Sequence, residues 1–431
     1  MKLQEMEFNR KTKKPIIVLQ GLNRNSLIKD NELSACQNIS SKNRPVLSCR
    51  APRETLYTLT SPQALFSVGT ALAWVDGTSF KYNNVTKGTV TAGAKSMVDF
   101  NGKILIFPDK KYYDYGADTF DTIVDIGPDA TVPDMDFVCE HMNRIFGCKG
   151  NDVYASALGQ YNNWTTFAGL SSDAWAKEVA SEGGSFTGIA SYQYHPVIFK
   201  EDLMYEVFNS KPPFTTQPGY KVGCLSNRAI IEVNSVLYFA GKKGLYGYTG
   251  GVPRLVSDDL NETYSDAVMG TDGTILYVSL YNGTSWKLYT YNTKDGRWLQ
   301  EDTLHVVQFT KIGAYGYGLA STGALYKFNS GTEVIEWNFE TKQFTEEIFE
   351  KKGNGKISLR LDLLTGSTAN VYVKHDNGAY ALVKELTATG LRCFRIPLKI
   401  QMDDHFQVKI SGTGDFKFHG IEREIIIGGD A

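Results

Sequence analysis

An all-β protein, built as a β-propeller of seven blades (six is the alternative count) with an extended N-terminal arm and a C-terminal β-sandwich, is the fold that the 431-residue sequence predicts. Three observations carry this expectation. The composition is rich in aromatics and glycine, a hairpin-like unit recurs along the middle of the chain, and the pattern changes to strict alternation after the last copy.

The composition favours strands. Aromatics reach 12%, with 24 Tyr and 23 Phe, and 41 Gly accompany them. Aromatic side chains suit a pleated, half-buried surface, and glycine supplies the positive φ of tight turns. Hydrophobic residues at 42% and charged residues at 21% match ordinary globular usage, so disorder and membrane classes are not indicated. A formal net charge of −2 gives no electrostatic case for a general nucleic-acid or lipid binder. No apolar run is long enough to span a bilayer, so no membrane insertion is expected. Residues 1–14 carry Lys2, Arg10, Lys11, Lys13 and Lys14 with no apolar stretch, unlike a secretory signal. Without such a signal, the Asn-x-Ser/Thr triplets at Asn38, Asn84, Asn163, Asn261 and Asn282 read as chance matches. The cysteines (Cys36, Cys49, Cys139, Cys148, Cys224 and Cys393) form no Cys-x-x-Cys pair and read as reduced, buried small hydrophobes.

The repeat is the strongest signal. A turn residue, four or five apolar residues, a short polar turn and a second strand with Tyr or Phe recur at 69–74 then 80–82, 101–107 then 112–113, 143–148 then 153–154, and 195–199 then 203–205. Further copies follow at 234–239 then 245–246, 273–278 then 287–289, and 313–317 then 324–326. Measured between first residues, the seven copies lie 32, 42, 52, 39, 39 and 40 residues apart, which brackets one four-stranded propeller blade. A lone small sheet cannot cover both its faces, so such sheets stack radially. Ile104, Leu105, Ile106 and Phe107, with no polar alternation, predict an inner strand buried on both faces. The stretch from Trp286 to Tyr291 alternates and predicts an outer strand with one wet face. The longest gap contains residues 171–182, which read as an inserted short helix. A two-sheet sandwich or an irregular solenoid is the competing architecture.

The expected boundaries are an extended arm over 1–60, the propeller over 61–336, and a linker with the sandwich over 337–431. Within the last part, 337–349 reads as a polar linker. Strands alternate at 357–363, 370–373, 381–383, 392–396, 405–410, 415–418 and 422–427.

Three stretches carry a resemblance. The run Phe394-Arg-Ile-Pro-Leu398, then Asp403-Asp-His-Phe with Ser411-Gly-Thr-Gly-Asp415, then Gly420-Ile-Glu-Arg-Glu424 resembles the end of propeller-bearing virion proteins of tailed bacteriophages. Asp30-Asn-Glu-Leu with Asn38, Arg44 and Arg50, and Val252-Pro-Arg-Leu-Val-Ser257, are similar to other parts of the same proteins. The matched motifs touch a small share of the chain. The resemblance implies a structural, non-enzymatic component of the tail hub, nozzle or neck, of the packaged-DNA stabilisation type. It implies a homo-oligomeric ring assembled in the bacterial cytoplasm beside portal, adaptor or tail proteins, with only transient proximity to DNA during ejection. The rival from another class is a carbohydrate- or receptor-binding propeller at a tail tip or cell surface, with Trp164, Trp175, Trp286 and Trp298 as stacking platforms.

Two charge features stand out. The basic arm, net +3 over residues 1–14, offers Arg10, Lys11, Lys13 and Lys14 to an acidic partner surface. The stretch with Asp114, Asp118, Asp121, Asp125, Asp129, Asp134, Asp136 and Glu140 contains no Lys or Arg. It reads as a solvated loop, as a wall facing passing DNA, or as a cation site at Asp134 and Asp136, without EF-hand spacing. No metal or cofactor is expected: the six His show no zinc-hydrolase spacing. His405 beside Asp403 and Asp404 reads as a hydrogen-bonded structural residue. A propeller glycosidase would need paired carboxylates, for which Glu201, Asp202 and Glu206 are the near neighbours in sequence.

Overall fold

Strands run throughout the described residues, as the aromatic and β-branched content favours. The computed structural model describes residues 10–387 and 389–427, and it holds no α-helix among them. Seven four-stranded antiparallel sheets occupy the middle of the chain: sheet I (62–89), II (96–122), III (137–178), IV (186–218), V (230–255), VI (266–302) and VII (306–327 with Glu54–Thr58). Their first strands touch in chain order, and Val306–Ile312 of sheet VII touches Pro62–Val68 of sheet I, so the circuit closes into a propeller-like ring. Each of the seven sequence copies falls on the second and third strands of one sheet.

Alternation of side chains holds the ring together. On the second strand of sheet I, Leu72 and Trp74 join Tyr317 and Leu319 of sheet VII, while Ala73 and Val75 join Ile104 and Ile106 of sheet II. On sheet II, Leu105 and Phe107 turn the other way, toward Val138 and Ile145 of sheet III. Both faces of these strands are therefore dry, and Ile104, Leu105, Ile106 and Phe107 are fully buried. An unbroken apolar run is what two wet-free faces demand.

The ring is closed by a strand from far upstream. Glu54–Thr58 pairs antiparallel with Ala324–Lys327 as the fourth strand of sheet VII. The turn before Ala324 uses Gly323 at φ +94°, where an added Cβ would stand 2.0 Å from the Leu59 carbonyl oxygen. Only glycine fits that approach.

The remaining strands form two further sheets. Sheet VIII contains Arg10–Ile16, Ile39–Ser40, Leu47–Cys49, Lys352–Leu363, Gly390–Pro397, Met402–Asp403 and Phe416–Ile427. Sheet IX contains Leu33–Gln37, Glu336–Thr341, Thr368–His375, Ala381–Leu386 and Phe406–Thr413. Ile357, Leu359 and Leu361 of sheet VIII share one apolar core with Val371, Val408 and Ile410 of sheet IX, and that core continues into Tyr291 and Trp298 of sheet VI.

Several expectations need correction. From residue 10 onward, the segment expected as an extended arm gives strands to sheets VII, VIII and IX, so the boundary at residue 60 does not separate an independent unit. Residues 1–9, including Lys2, lie outside the described residues. The expected polar linker contains Glu336–Thr341, a central strand of sheet IX with Trp337 and Phe339 buried. In place of the expected helix, Trp175–Glu178 pairs with Asp152–Ala155 as the outer strand of sheet III. The strand Trp286–Asn292 is half-buried at Trp286 and Lys287 but buried from Leu288 onward rather than wet on one face, because Arg297–Asp302 covers its edge and the N-terminal segment packs beyond that. Finally, 415–418 and 422–427 belong to one strand, Phe416–Ile427, whose register shifts where it passes Arg360 and Leu361.

Candidate functional site

The most heavily built region of the molecule is the joint between the ring and sheets VIII and IX. Gly21, at φ +108°, lies so close to sheet VI that an added Cβ would come within 2.7 Å of the Trp298 carbonyl oxygen. The Leu22 amide donates to that carbonyl at 2.7 Å, and the Asn38 amide donates to the Glu301 carbonyl at 2.6 Å. Three arginines secure the segment against the ring. Arg24 donates to Glu262, Tyr289 and Gln300. Arg50 donates to Asn38 and Glu333. Arg53 is buried between Glu301 and Asp302, each 2.6 Å away, with its guanidinium 4.9 Å from the Phe328 ring centre. Burial works against the charge on Arg53, yet the two carboxylates outweigh it and hold its pKa above the usual value. Burial also pushes Glu301 up, with Arg53 only partly offsetting it.

Arg423 performs the same task inside sheet VIII. It is fully buried, lies over the Phe344 ring at 3.2 Å, and pairs with Glu346 at 3.1 Å and Asp30 at 3.5 Å. Lys14, one of the expected partner-binding residues, also reaches Glu346, at 2.9 Å. Lys11 and Lys13 face Glu424 and Glu422 at 3.7 and 3.8 Å across the pairing of Arg10–Ile16 with Phe416–Ile427. Arg10 opens the same strand. The basic residues therefore sit on a paired strand whose acidic partners are internal, not on a free arm.

The acidic residues expected to act together are dispersed. Asp114 pairs with Lys103, Asp118 with Lys87, Asp134 with Lys110, and Asp136 with Lys149. Asp125 is buried and accepts from the amides of Gly127, Thr131 and Trp164 and from the Thr165 hydroxyl. Asp121 lies exposed on the outer strand of sheet II, and Asp129 is exposed in the following connection. None of the seven Asp lies on a first strand. The acidic residues on the strands that touch around the ring are instead Asp99, Glu140, Glu232 and Asp266. A stretch without lysines in sequence thus acquires lysines from neighbouring strands and a turn in space, which sequence order hides.

At the centre of the ring lies a cavity of about 400 Å³, walled by first strands of five sheets and lined by apolar side chains including Phe66, Met97, Ile231, Met269 and Phe309. Lys311 is the charged side chain among the described residues that line it. The three carboxylates considered as a hydrolytic set are separated in their contacts. Glu201 and Asp202 pair with Lys242, whereas Glu206 faces His195 at 3.3 Å and accepts from the Tyr248 hydroxyl of the next sheet. Of the four tryptophans considered as platforms, Trp164, Trp175 and Trp298 are buried. Trp286 is stacked between Tyr281 and His305.

A group of metal-ligand type occurs at Asp376, Asp404 and His405, whose donor atoms fall within 4.8 Å of one another. Its geometry has a structural explanation. Asp376 accepts from the amides of His405 and Asp404, which holds its carboxyl below the usual range and clamps two loops of the C-terminal sheets. Beside it, His375 and the buried Asp403 pair at 2.5 Å.

No family model and no curated protein matches the sequence. Among solved structures, the chain is similar to the extracellular domain of a hybrid two-component system from B. thetaiotaomicron, with a TM-score of 0.43 and 10% identity over 81% of this chain and 48% of that one. The chain thus spans about half the length of that protein. It is also similar to an exo-β-1,3-galactanase from Phanerochaete chrysosporium (TM-score 0.28, 9% identity, 70% of this chain and 98% of that one). A third is the Pan2 WD40 domain from Neurospora crassa (TM-score 0.30, 8% identity, 69% and 90%).

Proposed function

We propose that the chain is a seven-bladed β-propeller stapled to a C-terminal β-sandwich, and that it serves as a structural part of a tailed-bacteriophage virion, in the tail hub, nozzle or neck. The observation that carries this reading is the joint. One N-terminal segment supplies Arg10–Ile16 and Leu33–Gln37 to the C-terminal sheets and Glu54–Thr58 to the ring, and buried Arg53 and Arg423 fix it in place. Domains that move relative to one another meet through small polar interfaces and single linkers. Three shared strands and two buried ion clusters instead suit a part that must hold one orientation among its neighbours.

The residues behind the resemblance support the same reading through their structural roles. Trp337 donates to the Gly414 carbonyl, and an added Cβ on Gly412 would stand 2.6 Å from the Trp337 ring. Asp403 and His405 belong to the loop clamp of the C-terminal sheets. Such residues preserve a fold rather than a reaction. In this reading several copies form a ring, with portal, adaptor or tail proteins as neighbours and DNA passing nearby. Mass spectrometry and antibody labelling of purified tailed particles from the source culture test it: the chain is expected at fixed stoichiometry on the tail or neck. Recovery only from the particle-free fraction would refute it.

A further inference from the structure

The outward face of sheet VIII carries a trough of about 500 Å³ that the joint does not use. Its floor crosses four strands in register: Lys13 opposes Glu424, Pro15 opposes Glu422, Glu422 opposes Ser358, Ser358 opposes Arg395, and Arg360 opposes Cys393. Side chains alternate across a strand. Ser358, Arg360, Cys393 and Arg395 therefore face the trough, while Ile357, Leu359 and Leu361 face the core.

The charges in the floor are unevenly matched. Glu424 stands between Lys356 at 3.4 Å and Lys11 at 3.7 Å, and Glu422 faces Lys13. Arg360 and Arg395 are exposed and have no acidic partner among the described residues. They occupy diagonal positions on adjacent strands, about 7 Å apart in backbone, where like charges repel unless an anion lies between them. Guanidinium groups in this arrangement match carboxylates through paired, charge-assisted hydrogen bonds. One end of the trough is apolar, formed by Pro15 and by Ile17, which is 72% exposed.

We propose that this trough binds an acidic peptide segment of a partner protein, with carboxylates held by Arg360 and Arg395 and an apolar side chain against Ile17. A nucleic-acid backbone fits less well. Its closely spaced phosphates would meet Glu422 in the floor, and Ile17 offers a phosphate nothing. The inference stands independently of the virion reading, since it rests on this face alone.

The test is fluorescence anisotropy of the full chain with a labelled peptide alternating glutamate and leucine, beside a lysine–leucine peptide and a random-sequence DNA duplex. The acidic peptide is expected to bind at low salt and the basic peptide to stay free. Arg360→Glu with Arg395→Glu should weaken binding by roughly tenfold or more, the loss expected for a charge-assisted contact. Arg360→Gln with Arg395→Gln, checked for an unchanged melting temperature, separates loss of the site from loss of the fold. A local readout is available because Cys393 is the exposed cysteine, the others being buried or half-buried. Bound acidic peptide should slow its reaction with maleimide. Three results would each overturn the proposal: no binding of the acidic peptide, binding unchanged in both double variants, or DNA displacing the peptide and losing affinity in the same variants.

Discussion

Arg53 shows how strongly single residues are committed to the joint. Its guanidinium is enclosed by Glu301, Asp302 and Phe328, so removing it leaves the buried Glu301 carboxylate with only the more distant Arg50 as counter-charge. Arg53→Ala is expected to cost about 3–5 kcal/mol in urea unfolding, the usual penalty for breaking a buried pair from one side. Adding Glu301→Gln should return part of that loss. The sign with pH follows from the raised pKa of Glu301: its contribution is present in acid and is lost as pH rises through its folded value. His141 works in the opposite sense. Burial beside Phe146 lowers its pKa from the ordinary 6.5, so the folded state resists its protonation. The stability tied to His141 is present above the unfolded pKa and is lost as pH falls through the folded one. Urea midpoints compared on either side of this window should fall toward acid, and His141→Gln should flatten that slope.

At the scale of elements, the strand Arg10–Ile16 closes one edge of the long strand Phe416–Ile427. Deleting residues 1–16 uncovers that edge over Ile421–Ile427 and removes the Lys14–Glu346 pair beside Arg423. Open edges recruit other strands. The truncated chain is expected to melt lower and to elute as larger, concentration-dependent species in size-exclusion chromatography. The sequence made the central hairpins legible because each second strand is buried on both faces and the turn before it carries glycine or asparagine in every sheet except IV, where Gln193 and Tyr194 make the turn. Asn101, Asn143 and Asn234, for example, adopt positive φ between paired strands. It concealed the N-terminal strands for a physical reason. Leu33–Gln37 and Glu54–Thr58 are short, and their partners, Glu336–Thr341 and Ala324–Lys327, lie some three hundred residues away. Pairing of that kind leaves no local periodicity to read. The same holds for the charges: Asp118 and Asp134 look unneutralised in sequence until Lys87 arrives from a neighbouring strand and Lys110 from a turn of sheet II.

For the whole molecule, the decisive feature is that one apolar core runs from Phe199 and Phe239 of the ring, through Tyr289 and Trp298, to Ile357 and Val408 of the C-terminal sheets. A core shared in this way couples the unfolding of its parts. Calorimetry on the intact chain is therefore expected to show one transition rather than separate ones for the ring and the C-terminal sheets. Trp298 is the residue through which the coupling is most concentrated. It is almost fully buried, its indole donates to the Val256 carbonyl at 2.8 Å, and its own carbonyl receives the Leu22 amide. Replacing it with alanine leaves a cavity on the ring side of the joint while leaving the inner strands of sheets I to III intact. A large-to-small change of this kind typically costs about 3–5 kcal/mol. The expected consequence is both a lower melting temperature and a split of the single transition into two, with the C-terminal sheets unfolding first. A Trp298→Ala chain that still melts in one step at the original temperature would mean that the ring and the C-terminal sheets are held by the paired strands alone.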